Sequence, residues 1–115
     1  MQTFGGSYLR LFVEVESQTE ARRIADKVVQ RLAQIARIEN SEVEQYWKIK
    51  SYYEIFVRFQ PHRKPQPLEV AQKVCSELKD AQWQTDQEVI FDLRVSNIVC
   101  EDHPELRWLH IELCD

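Results

Sequence analysis

Two histidine and cysteine pairs near the C-terminus are the residues whose types and spacing best suit chemistry. Two residues separate Cys100 from His103, and three separate His110 from Cys114, with ligand types that bind zinc. In a helix over 106–114, His110 and Cys114 would share a face and could bind one ion. In a strand they would lie about 13 Å apart, too far to share it. We expect a strand, and therefore no metal site.

Catalytic arrangements are not visible elsewhere in the chain. A sequence with two glycines has no glycine-rich phosphate loop, and no Ser, Cys or His stands in a nucleophile motif. Glu14 and Asp92 could lie on neighbouring strands, but paired surface carboxylates are common on acidic proteins. We expect no enzyme and no cofactor, and an enzyme acting on a small molecule through an unrecognised site is the third alternative.

The C-terminal part of the chain is acidic. From residue 87 onward seven carboxylates stand against Arg94 and Arg107. One interpretation is a solvated sheet edge that charge protects from aggregation. The other is a docking surface for a basic protein, because an aromatic anchor ringed by carboxylates suits such a partner. The predicted partner-binding residues are Asp92, Glu101, Asp102, Glu105, Trp108 and Glu112.

A second candidate site lies on the face of a predicted sheet. Residues 53–59 alternate as a central strand, so Val57 and its like-facing neighbours point to the core and Phe56 points away. We expect Phe12 to lie beside Phe56 on that second face, with Tyr46 flanking them. The other interpretation is that these rings support a sheet partly covered by the C-terminal segment.

Two strands resemble the RNA-recognition motif. Phe56-Val57-Arg58-Phe59 matches the end of the family's strand-three signature, and Leu11-Phe12-Val13 is similar to its strand-one signature. The resemblance implies single-stranded nucleic acid stacked on Phe12 and Phe56. Glu54 stands where the family has its other strand-three aromatic, and a carboxylate there disfavours a phosphate. Nucleic acid is therefore the alternative ligand and not the main one.

Hydrophobic periodicity predicts the elements that position these residues. Ser17 and Glu20 have the spacing of a capping box and predict a helix start, and Pro67 suits the first turn of another helix. Three prolines from residue 61 to 67 indicate an extended basic loop. The predicted strands cover 8–16, 43–50, 53–59, 87–95 and 106–114, and the predicted helices run from 17 to about 38 and from 67 to about 80, with a break at 39–41.

This order predicts an α+β fold, a ferredoxin-like βαββαβ sandwich in one domain over 1–115. Both helices should cover one face of an antiparallel sheet. The first and third strands are expected at the centre, with the C-terminal strand added beyond the fourth. The predicted core is Leu11, Val13, Ile24, Val28, Leu32, Val57, Phe59, Leu78, Phe91 and Leu93.

The composition of the chain indicates its expected cellular location and the redox state of its cysteines. The 115 residues carry a formal charge of −4, with a surplus of basic residues over 1–38 and of acidic ones over 39–115. Neither a membrane span nor a signal peptide is apparent, so a cytoplasmic location is expected. An odd count of three cysteines favours reduced thiols over a disulfide framework.

In size, acidity and aromatic content the whole chain resembles the immunity proteins that bacteria make against their own nuclease toxins. The resemblance is one of type, without a shared motif. It implies a protein-binding inhibitor or adaptor that neutralises a basic toxin domain. A homodimer mate is a further possible occupant of the same surfaces.

Overall fold

The computed structural model describes residues 6–114 as an α+β fold with two helices and six strands. The elements alternate in the order β-α-β-β-α-β-β-β. Their bounds are β1 Ser7–Glu14, α1 Gln18–Leu32, β2 Ala36–Gln45, β3 Tyr52–Pro61, α2 Pro67–Val74, β4 Trp83–Gln84, β5 Glu88–Asp92 and β6 Leu106–Glu112.

All six strands form one antiparallel sheet in the order β2-β3-β1-β6-β5-β4. Helix α1 packs on β2 and β3, and α2 packs on β5 and β6. Both helices therefore cover the same face, as the sequence predicted, and the arrangement is compatible with a ferredoxin-like sandwich. The opposite face, called the open face below, carries no helix.

The core lies between the sheet and the helices. Alternate residues of β1 and β3, such as Leu11 and Val57, are fully buried there because successive strand side chains point to opposite faces. The predicted core residues are buried apart from Leu93, which is partly buried where the chain leaves β5. Val95, the last residue of the predicted strand over 87–95, lies beyond the end of β5 and is 74% exposed.

The predicted position of the C-terminal strand is wrong. β6 does not extend the sheet beyond β5 but lies between β1 and β5. Its residues Leu106, Leu109 and Ile111 are buried beneath the helices, and a central position shields both edges of the strand. After the connection over 93–105, β6 pairs antiparallel with β5, so the C-terminal segment is the predicted strand and not the alternative helix.

The chain between α1 and β3 also differs from the prediction. Ser17 caps α1 as expected, its hydroxyl accepting the Glu20 amide at 3.2 Å, but the helix ends at Leu32 and not near residue 38. β2 begins at Ala36 and includes the predicted break at 39–41, where a bulge lies between Ile38 and Asn40. The apolar spacing at residues 35 and 36 fits a helix, but the chain turns over 33–35, and pairing with β3 makes Ala36 the first residue of a strand.

The end of α2 also differs from the prediction, and a short strand precedes β5. α2 starts at Pro67 as predicted and ends at Val74, because Cys75 leaves helical dihedrals with φ −147° and ψ 105°. Leu78 is buried without being helical. Trp83 lies in the short edge strand β4 opposite Ile90. Among residues 6–114, neither helix is long and apolar enough to cross a membrane.

Candidate functional site

The open face is the face of the sheet that α1 and α2 leave uncovered. Strand alternation places Phe12 of β1 and Phe56 of β3 on it, since their neighbours in sequence point into the core, and the register places Trp108 of β6 opposite Phe12. The antiparallel register sets Phe12 opposite both Glu54 and Trp108. Side chains from three central strands therefore meet on one surface.

Six rings form a continuous chain across this face, called the aromatic chain below. Phe56 stacks on Tyr8 with ring centroids 5.4 Å apart and planes 21° apart, and Tyr8 meets His110 edge-on at 5.4 Å. His110 lies 5.8 Å from Trp108, and Trp108 lies 5.4 Å from Phe12. Its members in order are Phe56, Tyr8, His110, Trp108, Phe12 and Tyr46, the last pair being 4.6 Å apart.

Arg10 lies against two rings of the aromatic chain, Phe12 and Trp108. Its guanidinium carbon is 5.2 Å from the Phe12 ring centre and 5.7 Å from that of Trp108, which are cation–π distances. The same guanidinium forms an ion pair with Glu54. The two rings are thus braced by a neutralised cation, which holds them in place without leaving a net positive charge between them.

Polar side chains hold Tyr8 and His110 of the aromatic chain in place. Nε2 of His110 lies 2.7 Å from Glu88, and the Tyr8 hydroxyl donates to Glu112 at 2.8 Å. The hydrogen bond with His110 lowers the pKa of Glu88, and burial together with Glu112 raises the pKa of Tyr8 to about 12. Ligand atoms of Glu88, His110 and Glu112 lie within 4.8 Å of one another, so they could hold a cation, although each is already hydrogen-bonded.

The predicted sheet-face residues all lie on the open face, but in a different arrangement. Phe12 contacts Tyr46, as expected for flanking residues. Phe12 and Phe56 are not side by side, because the register sets Phe12 opposite Glu54 and Phe56 opposite Arg10. Phe56 stacks on Tyr8 instead.

The predicted partner-binding residues are divided between two surfaces. Trp108, Asp92 and Glu112 lie on the open face, with Trp108 opposite both Phe12 and Asp92. The acidic residues of the 93–105 connection lie elsewhere, since Asp102 pairs at 2.9 Å with Arg31 of α1 on the helix side. Those residues of the connection are Glu101, Asp102 and Glu105, and Asp115, the last residue of the predicted acidic segment, lies outside the described residues.

The histidine and cysteine pairs do not come together. Cys100 and His103 are buried in the connection before β6, where burial lowers the pKa of His103. His110 lies on the open face, because β6 is a strand. The segment that holds His110 is thus a strand, β6, and strand geometry was the argument against this zinc site.

Two shallow pockets open on this face, one beside Phe12 and the other beside Phe56. A pocket of about 330 Å³ has aromatic walls and the cations Lys48 and Arg94 at its rim. A second, of about 210 Å³, is lined by Phe56, Glu42, Glu44 and Glu54. The first suits a flat ring with negative charge, and the second suits a cation.

Sequence reasoning missed Tyr8 and His110 as parts of this surface. Tyr8 shares the strand parity of Phe12, so the alternation of β1 could have placed it there. His110 shares the parity of Trp108, but its place beside Tyr8 depends on β6 pairing with β1. Only the strand order makes the rings one surface.

Comparison with protein-family models, with curated proteins and with solved structures gave no match for this chain.

Proposed function

We propose that this protein binds a basic protein partner through its open face and acts by binding rather than catalysis, as an inhibitor or adaptor. The aromatic chain carries the proposal. Interface hot spots are commonly aromatic side chains packed at the centre of a patch and surrounded by polar groups. Phe56, Tyr46 and Trp108 are partly exposed on a face that no helix covers, and each is held by a neighbouring ring.

The charge of the open face supports a basic partner. Its strands present seven carboxylates and four arginines, and two of these arginines, Arg10 and Arg107, are already paired with Glu54 and Glu14. Two further cations, Lys48 and Arg94, lie at the pocket beside Phe12, and Arg94 is paired with Asp92. Opposite potentials speed encounter and exclude wrong partners. The carboxylates are Glu14, Glu42, Glu44, Glu54, Glu88, Asp92 and Glu112, and the other two arginines are Arg37 and Arg58.

The finer form of the proposal is an immunity protein that blocks a nuclease toxin in the cytoplasm. A nuclease domain must attract phosphates and therefore carries a basic surface. An acidic, aromatic-centred face covering that surface would compete with nucleic acid for it. The acidic pocket beside Phe56 offers carboxylates to a lysine or arginine of such a partner.

Site-specific photo-crosslinking in the native host tests this assignment. A benzophenone amino acid replaces Phe56 on the open face, and the control carries it at Arg23, an exposed residue of α1 on the opposite side. We expect one basic protein crosslinked from position 56 and absent from position 23. With that partner purified, Trp108→Ala should speed dissociation by about tenfold or more, since the ring is central to the face.

Three results would contradict the proposal. Crosslinks that form equally from both positions would show no preference for the open face. A product with twice the mass of the chain would assign the face to a second copy of it. An acidic partner would remove the charge argument.

The pocket at Phe12 favours a second candidate, single-stranded nucleic acid. Its aromatic walls could stack a base while Lys48 and Arg94 meet a phosphate. The ion pair between Arg94 and Asp92 and the carboxylates across the rest of the face oppose this ligand. Micromolar binding of a fluorescent RNA oligomer that weakens with salt and is lost in Phe12→Ala would place this candidate first.

A further inference from the structure

Two buried cysteines from distant parts of the sequence meet where α2 ends. Cys75 is the C-cap of α2, and Cys100 belongs to the connection before β6. They are 0% and 1% exposed. Their sulfur atoms and a carboxylate oxygen of Glu77 all lie within 4.8 Å of one another, and the Cys75 sulfur is 3.3 Å from Oε1 of Glu77.

Both thiols have an oxygen acceptor beside them. The Cys75 thiol donates to Oε1 of Glu77 at 3.3 Å, and the Cys100 thiol donates to the carbonyl of Val74 at 3.8 Å. Metal ions are bound by the thiolate and not by the thiol, so an ion would take the place of these two protons.

The third possible ligand, Glu77, is also oriented by hydrogen bonds. Oε1 of Glu77 accepts the Glu101 amide at 3.3 Å, and Oε2 accepts the Ser76 hydroxyl at 3.2 Å. Hydrogen bonds that aim ligand side chains are a regular feature of metal sites. Glu77 is partly exposed, so an ion can reach the sulfurs past its carboxylate.

The separations suit a tetrahedral ion. With zinc–sulfur bonds near 2.3 Å and zinc–oxygen bonds near 2.1 Å, a tetrahedral site sets sulfur and oxygen about 3.6 Å apart and two sulfurs about 3.8 Å apart. The distance of 3.3 Å between the Cys75 sulfur and the Glu77 oxygen is close to the first value, and the two sulfurs lie within 4.8 Å of each other.

We propose that Cys75, Cys100 and Glu77 form a site for a thiophilic divalent cation such as Zn²⁺, with water as the fourth ligand. On binding, each thiol releases its proton to solvent and each thiolate forms one bond to the ion, so that no electrons are exchanged. The ion would join the end of α2 to the connection that carries Glu101 and Asp102. This site is independent of the open face and of any partner.

Cobalt titration of the reduced protein tests the site, because Co²⁺ accepts the same ligands and reports them by absorption. We expect a sulfur-to-cobalt charge-transfer band and the visible bands of tetrahedral cobalt, saturating at one ion per chain and bleached by Zn²⁺. Zn²⁺ should also raise the thermal unfolding temperature, since it binds the folded chain.

Three variants make the result specific. Cys100→Ser should abolish the charge-transfer band, and Cys114→Ser, at the half-buried third cysteine, should leave it unchanged. Glu77→Gln lies at the surface and should keep the sulfur band while weakening binding by about tenfold or more. Circular dichroism confirms that each variant is folded.

The site is refuted if the folded, reduced wild-type protein shows no sulfur–cobalt band. A band that survives Cys100→Ser, or one that disappears in Cys114→Ser, refutes it as well. If Cys100→Ser does not fold, unchanged cobalt affinity in Glu77→Gln is the refuting result.

Discussion

At the residue scale, Asp92 shows how one carboxylate on the open face is held. It accepts hydrogen bonds from Nε and Nη2 of Arg94 at 2.9 and 2.7 Å and from the Arg94 backbone amide at 3.0 Å. The Arg94 guanidinium lowers the pKa of Asp92, while partial burial opposes the shift. The Asp92 side chain is 21% exposed, so solvent screens this pair less than a pair at the surface.

The pH dependence of stability tests this pair. Because the pKa of Asp92 is lower in the folded chain than in the unfolded one, its contribution is present above the unfolded value near 3.8 and is lost as pH falls through the folded value. Asp92→Asn should therefore reduce the unfolding free energy by about 1 kcal/mol or less at pH 7, and the difference should vanish in acid. Urea unfolding from pH 7 to pH 2 measures it.

The matched control for this prediction is Asp80→Asn, a change of the same kind at an exposed position after α2. It should alter the unfolding free energy little at any pH. If the deficit of Asp92→Asn is constant from pH 7 to pH 2, the charge of Asp92 is not what stabilises the fold.

At the element scale, β6 is the strand on which the site depends. It pairs with β1 on one side and β5 on the other, with Leu109 opposite Leu11 and Phe91. On the open face the same strand brings Trp108 beside Phe12 and His110 beside Tyr8. A β6 at the sheet edge would leave these two pairs of rings apart.

Two leucine-to-alanine changes test the central position of β6. Leu109 is fully buried and Leu93 is partly buried, so Leu109→Ala should cost about 2–5 kcal/mol of unfolding free energy and Leu93→Ala clearly less. Chemical denaturation measures both. Equal costs, or a larger cost at Leu93, would favour the order with β6 outside β5. Amide exchange gives an independent measurement, since Leu109 should exchange as slowly as Leu11.

At the scale of the whole molecule, acidity and aromatic surface coincide on one side. The edge strand β2 adds the exposed carboxylates of Glu42 and Glu44 beside Phe56. The other acidic group, in the 93–105 connection, is partly neutralised where Asp102 pairs with Arg31. For the proposed basic partner, Glu42 and Glu44 beside Phe56 are therefore the steering charges to test.

Charge reversal on the two surfaces separates their roles in binding. Glu42→Lys with Glu44→Lys should slow association with the proposed basic partner several-fold at low salt and flatten the dependence of the rate on ionic strength. Glu101→Lys with Glu105→Lys is the matched pair on the connection, and Asp102 is left intact because it holds Arg31. Stopped-flow association at several salt concentrations measures both.

The connection pair should change the association rate much less than the β2 pair. The opposite order would return the docking surface to the acidic connection predicted from sequence. Unchanged rates in both pairs would mean that neither carboxylate cluster steers the partner.

Local patterns in the sequence were enough to predict which face a strand residue occupies and where a helix begins. The alternation in residues 53–59 placed Val57 in the core and Phe56 on the open face, because strand side chains point alternately to the two faces. Ser17 and Pro67 marked helix starts, since their caps and dihedrals depend on near neighbours. Predicted ends failed where backbone pairing overrode periodicity, as at Ala36 in β2.

Long-range pairing decided the rest. Nothing in the alternation of β6 says whether it pairs with β1 or only with β5, since that choice depends on how much apolar surface each order buries. The same pairing brings Trp108 and His110 to the aromatic chain, and the 93–105 connection brings Cys100 to Cys75 across 25 residues of sequence. Contacts between residues so far apart in the chain depend on the order of the strands and not on the local sequence.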